Sequence, residues 1–175
     1  MTELHDDVDR RTRRVLWSLP TGLYVVGGGD VRQTPKSANL MTVNLVMQVA
    51  TTPRVLAVSF ETTSRTLQAV REFQQLSLSV LHRSDRAVIR RFVKPVIEGL
   101  VEGPSGPEMA GEPVAVGMTG LPRLAGAAAW LEGKVVGETS FESHIVVFAE
   151  VTASGESEGP YEVLRMEDTR MNYGG

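Results

Sequence analysis

Two short segments hold most of the side chains equipped to recognise a ligand: Asn39-Leu40-Met41-Thr42-Val43-Asn44 and Ser59-Phe60-Glu61-Thr62-Thr63-Ser64-Arg65-Thr66. Each lies where an alternating apolar run begins or ends. Polar groups gathered at strand ends are how a β scaffold presents a site, because strands hold the backbone still while loops carry hydrogen-bonding chemistry. In the second segment, hydroxyls and a guanidinium precede a helix predicted over Arg65–Phe73, whose Leu67, Val70 and Phe73 share one side. Free backbone N–H groups and the positive end of the helix dipole favour an anion there, although Ser64 and Thr63 read as well as simple caps. In the first segment, backbone groups flanked by Asn39 and Asn44 can read the edge of a flat heteroaromatic ring, or the asparagines can merely satisfy the start of a strand. His144 opens the run His144-Ile145-Val146-Val147-Phe148-Ala149-Glu150, where an imidazole can donate to a ring carbonyl or serve structure alone. The ligand these patterns favour is small and anionic.

Composition narrows the chemistry. At 175 residues and 42% hydrophobic, the chain suits one domain with a sizeable core. A formal charge of −3 argues against nucleic acid as a partner, since phosphate-dominated binding needs a basic face. The absence of cysteine excludes disulfides, thiolate nucleophiles and Cys-ligated zinc or iron–sulfur clusters, so any electron transfer falls to an organic cofactor. His5 and His82 have no neighbours in sequence that would build a metal site, and no spacing nominates a hydrolytic triad or carboxylate pair. No apolar run approaches about 18 residues, and Met1–Asp9 reads as a polar tail, so a cytoplasmic protein without a membrane segment is expected.

The elements that must position these residues are mostly strands. A first helix is predicted from Val8, Thr12, Val15, Leu16 and Leu19, ended by Pro20 and Gly22. Its Arg10, Arg11, Arg13 and Arg14 form a solvated side, or one that attracts a phosphorylated ligand or a second subunit. Strands are expected over Gly22–Val26, Val43–Ala50, Val55–Phe60, Leu76–Leu81, Ala127–Glu132 with Lys134–Val136, His144–Val151 and Tyr161–Arg165. Gly27-Gly28-Gly29-Asp30 reads as a hairpin turn and lacks either phosphate-loop pattern. A Ser84-capped helix with Val88, Ile89 and Phe92 inward follows the strand Leu76–Leu81. Gly99–Gly120, dense in Gly and Pro, is expected to be a lid or a disordered loop. Short links between strands favour an antiparallel barrel over an alternating parallel sheet.

Taken in order, these fragments resemble the flavin reductase-like, or split-barrel FMN-binding, domain family. Pro20-Thr21-Gly22, Asn39 to Asn44, Pro53 to Ser59, Ser64-Arg65-Thr66, Leu78 to Leu81, Arg91-Phe92 and Ser143 to Val151 carry the likeness over roughly Leu19 to Val151. The resemblance implies a mainly β fold, a six-stranded antiparallel split β-barrel of Greek-key character with a few short helices. It also implies a homodimer and bound FMN, with FAD as the other choice. NAD(P)H is the implied substrate, giving a flavin oxidoreductase that can serve a partner monooxygenase. Carried over by residue, Asn39, Leu40, Met41, Thr42, Val43 and Asn44 face the isoalloxazine, and Ser59, Phe60 and Glu61 follow the ribityl chain. Ser64, Arg65 and Thr66 hold the phosphate, and His144 lies near the nicotinamide. Ser143 stands where the family has aspartate before this histidine, and residues 99–120 lack the usual aromatic pattern; both departures touch the nicotinamide side. The alternative these departures leave open is a flavin-binding electron carrier or sensor without reductase turnover.

Overall fold

A computed structural model describes residues 2–171. In chain order they form α1 (Thr2–Trp17), β1 (Tyr24–Gly28), β2 (Asn39–Val43), β3 (Val46–Thr51), β4 (Arg54–Glu61), α2 (Arg65–Phe73) and β5 (Gln75–Val80). There follow α3 (Arg86–Arg91), β6 (Val101–Gly103), β7 (Gly106–Met109), β8 (Glu112–Val116), β9 (Pro122–Leu124), β10 (Ala129–Ser140) and β11 (His144–Glu156). Seven strands make one antiparallel sheet in the order β2-β1-β5-β10-β11-β4-β3. Its two edge strands, β2 and β3, are joined by Asn44 and Leu45 alone, so the sheet must coil until its edges converge at that corner. No ladder of hydrogen bonds pairs β2 with β3, so the barrel is not closed.

Alternation along the strands fills the coil. Val26, Val43, Val58, Phe60, Leu76, Leu78 and Val147 point inward, and Leu67 and Val70 of α2 plug the opening. A second cluster on the other side of β1 and β2 packs Leu23, Val25 and Leu40 against Ile89 and Phe92 and against Met109, Val114 and Leu124 of the smaller sheet. Helix α2 is held at both ends. Near its start, the buried Thr66 hydroxyl donates to Asn39 Oδ1 at 2.7 Å, and near its end Arg71 donates to both carboxylate oxygens of Glu138 on β10, at 3.0 and 2.7 Å. The hydrogen bonds from Arg71 hold the Glu138 carboxyl below its ordinary pKa.

Several expectations need correction. The fold has eleven strands among the described residues rather than six. Residues 99–120 are neither lid nor disordered loop: β6, β7, β8 and β9 form a four-stranded sheet whose segments of 3 to 5 residues are too short to show alternation. Gly27 and Gly28 pair within β1 instead of turning, and they must be glycine because a Cβ would lie 2.2 Å from Pro122 O at the first and 2.9 Å from Val70 Cγ2 at the second; only Gly29, at φ +101, leads into the turn. Val43–Ala50 splits at Asn44-Leu45, and the second half is an edge strand with Met47 63% and Val49 44% exposed rather than half-buried. Tyr161–Arg165 supplies only the isolated bridges Gly22↔Arg165 and His82↔Val163, a strap across the ends of β1 and β5. Asp85 rather than Ser84 occupies the N-cap of α3, and it makes no side-chain cap bond. Residues 2–9 belong to α1 and are not a tail. The sequence from Glu167 to Gly175, with Tyr173 near its end, reads as a tail that packs on a second subunit or is disordered, and residues 172–175 of it lie outside the described ones.

No described helix is long and apolar enough to cross a membrane. Two variants test this packing by urea unfolding. Phe60→Ala, at 0% exposure, is expected to lower stability by about 3–5 kcal/mol through the cavity it opens. Thr66→Val is expected to cost about 1–3 kcal/mol, because it strands the buried Asn39 carbonyl without a donor.

Candidate functional site

The outer edge of β2 faces a cleft rather than another strand. Val25 and Thr42 are paired across β1 and β2, and the Thr42 N–H points away from β1 to donate to Phe92 O at 2.9 Å. Its hydroxyl donates to Ile89 O at 2.6 Å, so Thr42 suspends the C-terminal end of α3 over this edge. By the alternation of an antiparallel ladder, the N–H and C=O of Leu40 point the same way as those of Thr42, toward the cleft. The Thr42 N–H is thus already engaged, and the backbone of Leu40 is the part of this strand edge left to face the cleft.

Helix α2 approaches the same edge with its N-terminus. Ser64 is a true N-cap: its hydroxyl oxygen accepts from the Leu67 N–H at 3.2 Å, and its O–H reaches Met41 Sδ at 3.1 Å. Capping therefore consumes Ser64 and one N–H. By helix geometry the N–H groups of Arg65 and Thr66 have no intrahelical acceptor, so the capping and anion readings hold together. Asn39, Leu40, Met41, Thr42, Glu61, Thr63, Ser64, Arg65 and Thr66 line one cleft of about 130 Å³, and Phe92, Val93, Lys94 and Pro95 form its opposite wall. Arg65 and Lys94 are both exposed and face this cleft, which makes it locally cationic despite the chain's acidic balance. Lys94 escaped the sequence reading because it lies past the end of α3 in irregular backbone. The only signal was Pro95, which keeps Lys94 out of helical geometry.

The remaining candidates fall outside the cleft wall. Val43 and Phe60 are in the core at 2% and 0% exposure, and Asn44 is buried at the corner between β2 and β3. Ser59 is half-buried and donates its N–H to Leu45 O at 3.0 Å, closing the corner. His144 is directly opposite Glu61 in the β4–β11 register, so it adjoins the cleft through that residue. Its Nδ1 is 2.9 Å from Ser143 Oγ, and Ser143 O accepts from the Thr62 N–H at 3.2 Å, tying the β10–β11 hairpin to the loop that precedes α2.

Comparison with known proteins bears on the fold and the family. No curated protein sequence matches the chain significantly. Among solved structures, the NADH:FAD oxidoreductase SgcE6 of Streptomyces globisporus C-1027 superposes with a TM-score of 0.72 at 22% identity, over 88% of this chain and 86% of that one. The styrene monooxygenase flavin reductase SMOB of Pseudomonas putida S12 gives 0.71 at 23% identity, over 90% and 93%. An FMN-binding protein from Thermus thermophilus gives 0.68 at 20%, over 81% and 75%. At these identities the likeness establishes a shared fold. The model of the flavin reductase like domain matches residues 16–174, nearly the whole chain, and the protein therefore belongs to the flavin reductase-like domain family.

Proposed function

We propose that this protein binds a flavin nucleotide, FMN or FAD, in the cleft between β2, α2 and the 92–95 segment, and transfers a hydride to it from NAD(P)H. The observation that carries the reading is the joining of the α2 N-terminus, Arg65 and Lys94 around one cleft at the free edge of β2, in a chain of this family. When bound, the flavin supplies the hydride-accepting chemistry. The chain's residues supply binding, orientation and charge. Arg65, Lys94 and the N–H groups of Arg65 and Thr66 neutralise the phosphate. The Leu40 backbone reads the edge of the ring, and Met41 and Thr63 close the cleft around it. Glu61 stands at the mouth, and His144 beside it orients the nicotinamide side.

The assembly is proposed to be a homodimer. Met47 and Val49 of the edge strand β3 and Leu45 just before it expose 42–63% of their surface, an apolar strip that a second copy would cover. Delivery of reduced flavin to a partner monooxygenase is the role that the resemblance to two-component systems favours. A specific observation supports a second reading: Ser143, a neutral hydroxyl, is the group in contact with His144 Nδ1, which fits a carrier that holds flavin without turning over NAD(P)H.

One experiment separates the two. Protein loaded with FMN and freed of excess is mixed with NADH or NADPH without oxygen while absorbance near ~450 nm is followed. A reductase bleaches, and His144→Ala slows the bleaching about 10- to 100-fold with flavin affinity preserved. Retained bands that persist with both nucleotides assign the carrier role instead. No retained flavin and no NAD(P)H oxidation with flavin in solution would refute both readings.

A further inference from the structure

Helix α3 is six residues long, and its N-cap, Asp85, makes no side-chain cap bond. A helix that short has little stability of its own in water, so its place depends on what grips it. Ile89 and Phe92 are buried beneath it, but apolar burial is non-directional and leaves the helix free to slide or tilt. Hydrogen bonds at its C-terminal end fix it. Some come from β2, where the Thr42 N–H and hydroxyl donate to Phe92 O and Ile89 O. Others come from the smaller sheet, through Arg91. Its Nη1 donates to Ala110 O at 2.9 Å and its Nε lies 3.0 Å from Glu112 Oε1, so one guanidinium spans the turn that joins β7 to β8.

That turn is shaped to receive the guanidinium. Met109 pairs with Glu112, and Ala110 and Gly111 between them lie at φ +52 and +74, the left-handed pair that a two-residue hairpin turn needs. Alanine is strained in that region, yet its carbonyl is the one that Arg91 grips. A Cβ on Gly111 would come 2.8 Å from Arg91 Nη1, so the missing side chain leaves the space the guanidinium occupies. Met109 and Val114 of the same hairpin are buried with Ile89, Phe92 and Val96. Phe92 and Val96 flank Val93, Lys94 and Pro95, which face the flavin cleft. This wall is therefore a short span between two core anchors, and the first anchor is the residue next to Arg91.

We propose that Arg91 is a positioning residue for this site: by tying the end of α3 to the 110–112 turn it holds Lys94 where a phosphate can bridge it to Arg65, and the smaller sheet is the frame that sets the width of the cleft. This role presupposes the flavin reading of the cleft. FMN affinity is measured by fluorescence quenching for the parent, Arg91→Ala, Lys94→Ala and the double variant, with urea unfolding to show that each is folded. Lys94→Ala is expected to weaken FMN binding about tenfold, by loss of a charge-assisted contact. Arg91→Ala is expected to cause a large part of the same loss, and the double variant to bind no more weakly than Lys94→Ala alone, because Arg91 acts through Lys94. Glu112→Gln, which keeps Arg91 and its bond to Ala110, should weaken binding less and should likewise have no effect beside Lys94→Ala, which carries the test if Arg91→Ala does not fold. A parent that binds FMN while Arg91→Ala and Glu112→Gln bind it equally well would overturn the positioning role and leave the flavin reading standing. Losses that multiply independently in the double variant would do the same, since a general effect of charge or stability has no need of Lys94. A parent that binds no FMN would overturn both.

Discussion

The two-residue link Asn44-Leu45 between the opposite edges of one seven-stranded sheet is the constraint on which the rest of the structure depends. Strands β2 and β3 cannot lie at the far ends of a flat sheet and remain joined so closely, so the sheet coils and encloses a core around Phe60. Because the two edges meet only at that corner, β2 keeps an unpaired outer edge. That edge has to be satisfied by something other than a strand. The Thr42 N–H is satisfied by Phe92 O, which hangs α3 and the 92–95 segment beside β2 and creates one wall of the cleft. The Leu40 groups that point the same way are what the cleft offers a ligand.

The other wall follows from how α2 is placed. Its apolar side plugs the coil through Leu67 and Val70, which leaves little freedom of rotation, and the Thr66–Asn39 hydrogen bond sets its N-terminus against β2. Packing thus aims the helix dipole and Arg65 at the β2 edge. Gly28 permits this approach, since a Cβ there would come within 2.9 Å of Val70 Cγ2 and 3.0 Å of Thr66 O. The residues that stabilise the fold and those that charge the cleft are therefore neighbours on the same helix turn, with Thr66 buried at 1% exposure and Arg65 in solvent.

Much of this was legible from the residues. Helix α2 and the strands β4 and β5 came out almost to the residue because their apolar positions repeat regularly and their ends carry clear signals, such as Ser64 and Pro53-Arg54. Asn39 to Thr42, Glu61 and Thr63 to Thr66 belong to the two polar strand ends that the sequence singles out, and they line one cleft, while the family is the one the fragments resemble. The failures have physical reasons. Alternation shows that a strand has two faces without showing that either is covered, so the sequence predicts a half-buried strand where β3 is an exposed edge. The strands β6 to β9 are too short for a period, and bulges at Glu132/Gly133 and Val135/Gly137 hid the continuity of β10. Lys94 is brought opposite Arg65 by the Thr42–Phe92 contact, a tertiary event with no local signature.

The most direct test of the central claim, that the α2 N-terminus holds the flavin phosphate, compares FMN with riboflavin in the parent protein and in Arg65→Ala, by quenching of flavin fluorescence. Loss of a charge-assisted contact of about 1.5–3 kcal/mol should weaken FMN binding roughly 10- to 100-fold, while riboflavin, which has no phosphate, binds both proteins alike. Unchanged FMN affinity in the variant, or an equal loss for riboflavin, would contradict it.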